Sequence, residues 1–142
     1  MLSQKARYAL RAMIELARAE EQVTAGELAL RADAPRKFLE AILLGLARHK
    51  LVTSRRGKFG GYLLARQAAD INFAEIIRLV DGPLALAPCV SRTAFRRCED
   101  CSDLATCALR EALLRARDAT AAVLEGYTLA DAVTGKGAEL IG

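Results

Sequence analysis

Residues 24–66, TAGELALRADAPRKFLEAILLGLARHKLVTSRRGKFGGYLLAR, decide the fold. Thr24 and Glu27 stand at the spacing of a capping box, so a short helix is expected over residues 24–32. It should stop at Asp33-Ala34-Pro35, because proline disfavours a helical residue before it and suits a helix's first turn. A second helix is expected from Pro35 to about Lys50, with Phe38, Leu39, Ile42, Leu43 and Leu46 on its inner side. Two helices split by a four-residue turn read as helix-turn-helix. Residues 51–55 and 62–65 then read as short strands, joined by Arg56-Gly57-Lys58-Phe59-Gly60-Gly61. The three glycines in that link suit a hairpin tip and let its backbone approach another surface closely. A helix-turn-helix followed by a basic hairpin is the pattern of a winged helix. The expected fold class is therefore mainly α with a small β-hairpin wing.

Upstream, Ala6, Ala9, Leu10, Met13, Ile14 and Ala17 form a single helical stripe, which Ser3 can cap and Glu20-Glu21-Gln22 ends. Downstream, residues 73–80 form a short amphipathic helix ended by Asp81-Gly82-Pro83. Residues 83–102 read as a loop with three cysteines. A long helix is expected from Ser102 to about Gly126, with Leu109, Ala112, Leu113, Ala116, Val123, Leu124 and Tyr127 at helical spacing. A stripe left over after a compact winged helix needs another surface, and a second copy of the chain is the expected answer.

Hydrophobic residues make up 53% of the chain and charged residues 27%, which is enough apolar content for a core and unlike a disordered chain. With 5% aromatics and no Trp, that core must be aliphatic. No run approaches the ~18 apolar residues of a membrane span, and the charged amino terminus lacks a signal peptide's apolar stretch. A cytoplasmic location is expected. Residues 1–66 hold 13 Lys and Arg against 6 Asp and Glu, whereas residues 67–142 hold 8 against 11. A basic half joined to a mildly acidic half points to a polyanionic partner at one end.

Arg36, Lys37 and Glu40 share the face of the second helix near the end that would enter a major groove. Arginine can read guanine, and glutamate can accept from a cytosine amine. On its own such a face could equally be solvated surface. The hairpin beside it adds Arg55, Arg56 and Lys58, which suit phosphates or a minor groove. Lys5, Arg7 and Arg11 on the first helix are as well explained by solubility as by backbone contacts.

All four cysteines, Cys89, Cys98, Cys101 and Cys107, fall within 19 residues, in the spacing C-x8-C-x2-C-x5-C. In a reducing compartment such clusters are more often metal ligands or redox switches than disulfides. The spacing matches neither the paired pattern of zinc fingers nor a common ferredoxin run. Cys107, placed in the first turns of the long helix, would be stabilised as thiolate by the helix's positive end. Arg92, Arg96 and Arg97 would offset an anionic cluster. The residues alone leave an iron–sulfur cluster, zinc and metal-free thiols open. The single histidine, His49, reads as a helix-end residue. No base–nucleophile arrangement, phosphate loop or second histidine is present, so no enzyme and no small-molecule substrate are expected. A basic wing would be idle in an electron-transfer protein.

Pro35 to Leu46 with Leu51-Val52, then Arg56-Gly57-x-x-Gly60-Gly61-Tyr62-x-Leu64-Ala65-Arg66, then Ile71-x-x-x-Glu75-Ile76-x-x-x-Val80-Asp81-Gly82, resemble the Rrf-type (IscR- and NsrR-like) winged-helix regulators. The resemblance runs from Tyr8-Ala9-Leu10-Arg11 to Leu129-Ala130-Asp131, and its most specific part is the RG-x-x-GGY wing with the downstream VDG. It implies a homodimeric transcription regulator, usually a repressor, whose crossed long helices join two heads on a pseudo-palindromic operator in double-stranded DNA. Half-sites would lie about one DNA turn, ~34 Å, apart. In the wing, Gly60 and Tyr62 join the candidate DNA-binding residues. The resemblance further implies an iron–sulfur cluster, 2Fe–2S or in some members 4Fe–4S, that senses iron, redox state or nitric oxide. Cys89, Cys101 and Cys107 match the family's ligands, the last two by their separation. Cys98 is additional: a fourth ligand, a bystander or a redox partner of Cys101. The position three after the last cysteine, a histidine ligand in some relatives, is Arg110, which cannot ligate iron. Tyr8 lies where some relatives supply a carboxylate. The implied organisation is a winged-helix DNA-binding domain over 1–82, a cluster loop over 83–102, a dimerisation helix with a short end helix over 103–133, and a flexible tail over 134–142.

Overall fold

The computed structural model describes residues 2–58 and 60–135. The chain opens with α1 (Gln4–Arg18), capped by Ser3 Oγ, which accepts from Ala6 N at 3.0 Å. The helix-turn-helix follows as α2 (Ala25–Ala32) and α3 (Arg36–Arg48). Asp33 ends α2 in the left-handed region at φ 51°, and Pro35 sends the chain on in extended backbone. The capping box expected at Thr24 forms only in part. Thr24 Oγ1 accepts from Glu27 N at 3.2 Å, while the Glu27 carboxylate turns to Arg31, 3.8 Å away.

The wing is β1 (Val52–Arg55) and β2 (Gly61–Leu64), antiparallel with Val52 opposite Leu64 and Arg55 opposite Gly61. Val23, just before α2, adds a third short rung. Its N–H donates to Tyr62 O at 3.0 Å, and Tyr62 N–H donates to Val23 O at 2.8 Å. The mainly helical class with a two-stranded hairpin is thus as expected.

Beyond the wing, Asn72 Oδ1 caps α4 (Phe73–Asp81) by accepting from Glu75 N at 2.9 Å. Residues 88–90 form a single 3-10 turn. Next come α5 (Arg110–Glu125) and α6 (Leu129–Thr134). The long helix therefore begins eight residues later than Ser102, where the sequence places it. Asp103 explains the delay: its carboxylate accepts from Ala105 N at 3.0 Å and from Thr106 Oγ1 at 3.2 Å. Local bonds of this kind compete with helix. Cys107 consequently precedes α5 instead of lying in its first turns.

One aliphatic core joins α1, α2, α3 and α4, with Met13, Leu28, Leu39, Leu43, Leu46, Ile71 and Ile76 fully buried. Phe38, expected inside, is 41% exposed and meets the Tyr8 ring edge-on at 5.6 Å, because Leu39 and Leu43 already fill the inner face. The sequence groups the end helix with the dimerisation helix, yet α6 returns to the head. Leu129 is fully buried in the same core. Phe73 N–H donates to Tyr127 O and Leu129 N–H to Ile71 O, both at 2.9 Å. A full capping box between Thr128 and Asp131 starts α6. Thr128→Ala should lower unfolding stability by about 1 kcal/mol in urea denaturation, since it removes the cap and leaves the backbone bonds of Tyr127 and Leu129 in place.

In α5 only Ala121 is buried, while Leu109 and Val123 are 69% and 68% exposed. Among the described residues no helix is long and apolar enough to cross a membrane. The tail expected over 134–142 lies, from residue 136 onward, outside the described residues.

Candidate nucleic-acid interface and cysteine site

The first turn of α3 presents Arg36, Lys37 and Glu40, all exposed. Arg36 Nε donates to Glu40 Oε1 at 3.1 Å. The Arg36 guanidinium lies over Gly26 of α2, where a Cβ would stand 3.6 Å from it. This surface pair is worth a few tenths of a kcal/mol at most. Its effect is to present a donor and an acceptor together at the head of the helix.

In the wing, Arg55, Arg56 and Lys58 are exposed at and beyond the end of β1. The tip closes through two glycines. Gly57 adopts φ 106°, which only glycine takes without strain, and a Cβ on Gly60 would stand 2.5 Å from Arg55 O. Tyr62 differs from the tip residues: its backbone is committed to Val23, and its half-buried ring packs on the core. Lys5, Arg7 and Arg11 are exposed along α1, with Arg11 stacked 5.2 Å over the Tyr8 ring. His49 ends α3, as expected, its Nδ1 donating to Gly45 O at 3.0 Å.

The second site is a cavity of about 400 Å³ between the 3-10 turn, residues 98–109 and the start of α5. Cys89, Cys98, Cys101 and Cys107 all line it, together with Arg110. Their burial is graded: Cys89 is buried, Cys98 and Cys101 are half-buried, and Cys107 is exposed. All four are free thiols. Burial pushes the Cys89 thiol up, and a hydrogen bond to the Cys98 thiol adds to that, while Arg110 opposes it. Cys98 is the neighbouring thiol that acts with burial on Cys89. Its link to Cys101, the redox partner considered for it from sequence, is the backbone bond from Cys101 N–H to Cys98 O at 3.1 Å. Among the described residues no three Cys, His, Asp or Glu side chains are drawn together at metal-binding distance. The site is thus four free thiols on the wall of one cavity.

Arginines tie this segment to α5, a connection that no sequence periodicity signals. Arg117 Nη1 donates to Val90 O at 2.9 Å, and Arg110 Nη2 reaches Cys89 O at 3.5 Å. Arg92 pairs with Asp118 at 2.6 Å. The hydrogen bond from Arg117, aided by Arg92, holds the Asp118 carboxyl below the usual carboxylate range. Arg110 Nε is buried and has no hydrogen-bond partner.

The sequence profile of the family described as "Rrf2: Iron-dependent Transcriptional regulator" matches residues 2–135. An rrf2-like HTH-type transcriptional regulator of Rhodobacter capsulatus is 38% identical over 136 residues, covering 92% of this chain and 91% of the relative. Among solved structures, CymR, the global cysteine regulator of B. subtilis, is similar with a TM-score of 0.77 at 32% identity, over 94% of this chain and 96% of that one. IscR of T. potens gives a TM-score of 0.75 at 27% identity, over 96% of this chain and 88% of that one. These proteins are regulators, not enzymes.

Proposed function

Because the chain belongs to the Rrf2 family of transcriptional regulators, we propose that it is a cytoplasmic repressor whose operator affinity is set by an iron–sulfur cluster on its cysteines. The observation that carries the cluster is the single cavity lined by all four thiols. The donor set suits iron in number and softness. Arg110 lines the same cavity, and its positive charge suits an anionic group. Cys89, Cys101 and Cys107 would hold the cluster, with Cys98 as fourth ligand. The residues between Cys98 and Arg110 form turns with no regular element, so the two outer thiols can approach the inner pair. A 2Fe–2S cluster bound there would supply a centre sensitive to iron supply, oxidation or nitric oxide.

This chain's own residues carry the response outward. The carbonyls of Cys89 and Val90 are held by Arg110 and Arg117 of α5, so a change in the cysteine segment reaches that helix directly. The exposed Leu109 and Val123 support α5 as the seam with a second copy, which would set two heads on a pseudo-palindromic DNA site. Each head would place Arg36, Lys37 and Glu40 in a major groove, and Arg55, Arg56 and Lys58 on the phosphates or in the minor groove. Gly60 and Tyr62 shape the wing. Residues 1–82 would thus do the reading, 83–102 the sensing and α5 the pairing, while α6 steadies the head.

A second reading follows from Cys89 and Cys98 lining the same cavity as free thiols. Their two thiols could form a disulfide, giving up two protons and two electrons to a peroxide, with DNA binding regulated by that bond.

The test is iron, sulfide and zinc analysis with a visible spectrum on protein purified without air, alongside each cysteine-to-alanine variant. Charge-transfer bands with matched iron and sulfide, lost in C89A, C101A and C107A and lost or shifted in C98A, are expected. Colourless protein that takes up no iron and sulfide would remove the cluster from this account and leave the DNA-binding head intact.

A further inference from the structure

The outward stripe of α3 is not uniformly polar. Counted from Lys37, the residues Glu40, Ala41 and Leu44 follow at three, four and seven positions, so all four share one face of the helix. All four are exposed, Leu44 to 54%. The opposite face, with Leu39, Ile42, Leu43 and Leu46, lies in the core. Phe38, the other large exposed apolar side chain of α3, is turned aside against the Tyr8 ring. Ala41 and Leu44 therefore leave a small apolar patch directly beside Lys37 and Glu40. Two side chains are too few for a stable protein interface, which takes about 800 Å² from each partner. A major groove is a better match: it admits an α-helix, and the apolar group that bases present there is the thymine 5-methyl.

We propose that Leu44, given room by the small Ala41, packs against a thymine 5-methyl group in each operator half-site and so makes thymine the favoured base there. The inference deepens the DNA-binding reading above and rests on it, but not on the cysteines. At about 1.5 Å of rise per residue, Leu44 stands about 6 Å beyond Glu40 along the helix. With ~3.4 Å per base pair, the thymine lies about two pairs from the base that Glu40 meets. Lys37 and Glu40 supply the polar part of the readout, and Leu44 adds a contact that no hydrogen bond can replace.

The experiment selects duplexes from a random pool with the full-length protein, both as purified without air and after chelation of metal. Each thymine of the selected site is then replaced in turn by deoxyuridine, which lacks only the methyl group. Binding is titrated at fixed salt for wild type, Leu44→Ala and Leu44→Gln. Both substitutions place a good helix former at an exposed position, so the fold is kept. One replacement in a half-site should weaken wild-type binding about four-fold, the weight of a single methyl group taken out of water. Both variants should bind the thymine and deoxyuridine duplexes equally. A selected site without thymine, or a wild type indifferent to deoxyuridine at every thymine, would overturn the proposal. So would variants that keep the wild-type loss. Variants that bind the site normally but sediment as smaller species would assign Leu44 to contact between copies instead. Protein that retains no duplex in either form would overturn the DNA-binding reading, and this inference with it.

Discussion

Gly61→Ala should lower the unfolding stability by about 3 kcal/mol and detach the wing from the body of the head. A Cβ at Gly61 would stand 2.8 Å from Val23 O and 2.9 Å from Val23 C, so backbone has to move and no side-chain rotation relieves the clash. The displaced rung carries two backbone hydrogen bonds between Val23 and Tyr62, worth about 1 kcal/mol each net. Forcing an atom into packed structure adds roughly 1–3 kcal/mol. Stiffening the unfolded chain by replacing glycine returns only about 0.4–1 kcal/mol. Gly45, within α3, is the internal control: a Cβ there meets nothing within 4 Å. Gly45→Ala should therefore raise stability by about 0.5–1 kcal/mol. Urea denaturation of both variants checks the pair. Equal behaviour at the two positions would show that the approach of Val23 to β2 does not constrain residue 61.

Replacing Arg55, Arg56 and Lys58 together with glutamine should leave the fold unchanged and weaken DNA binding about 100-fold per head near physiological salt. All three side chains are exposed, and none lies in the core. If each neutralises one phosphate, the slope of log K against log salt falls by about 0.9 for each charge removed. Titrating a labelled duplex at several salt concentrations measures both quantities. The loss should be uniform across operator sequences, because phosphate contacts position a protein without reading bases. An unchanged slope would place the wing away from the DNA.

The helix-turn-helix and wing were legible because their signals are local. Thr24, Asp33 and Pro35 set helix ends through their own backbone chemistry, and the glycines of the tip declare a hairpin. The four cysteines announced a site by their density alone. What escaped the sequence depends on distant partners or on competing local bonds. Phe38 sits at a correct helical offset for burial, yet the inner face has no room for it. Asp103 delays α5 by bonding its own neighbours, which apolar periodicity does not register. The return of Leu129 to the core, and the matching of Arg110 and Arg117 to the carbonyls of the cysteine segment, join residues far apart in the chain and leave no short-range pattern.

The burial of Leu129 bears on the order in which the molecule is made. The core around α1 lacks its last apolar side chain until residue 129 has emerged, and the whole cysteine segment is translated before it. At about 5–20 residues per second, the thiols are in solution for a few seconds while the head beside them is unfinished. Exposure of the thiols and completion of the core therefore overlap in time.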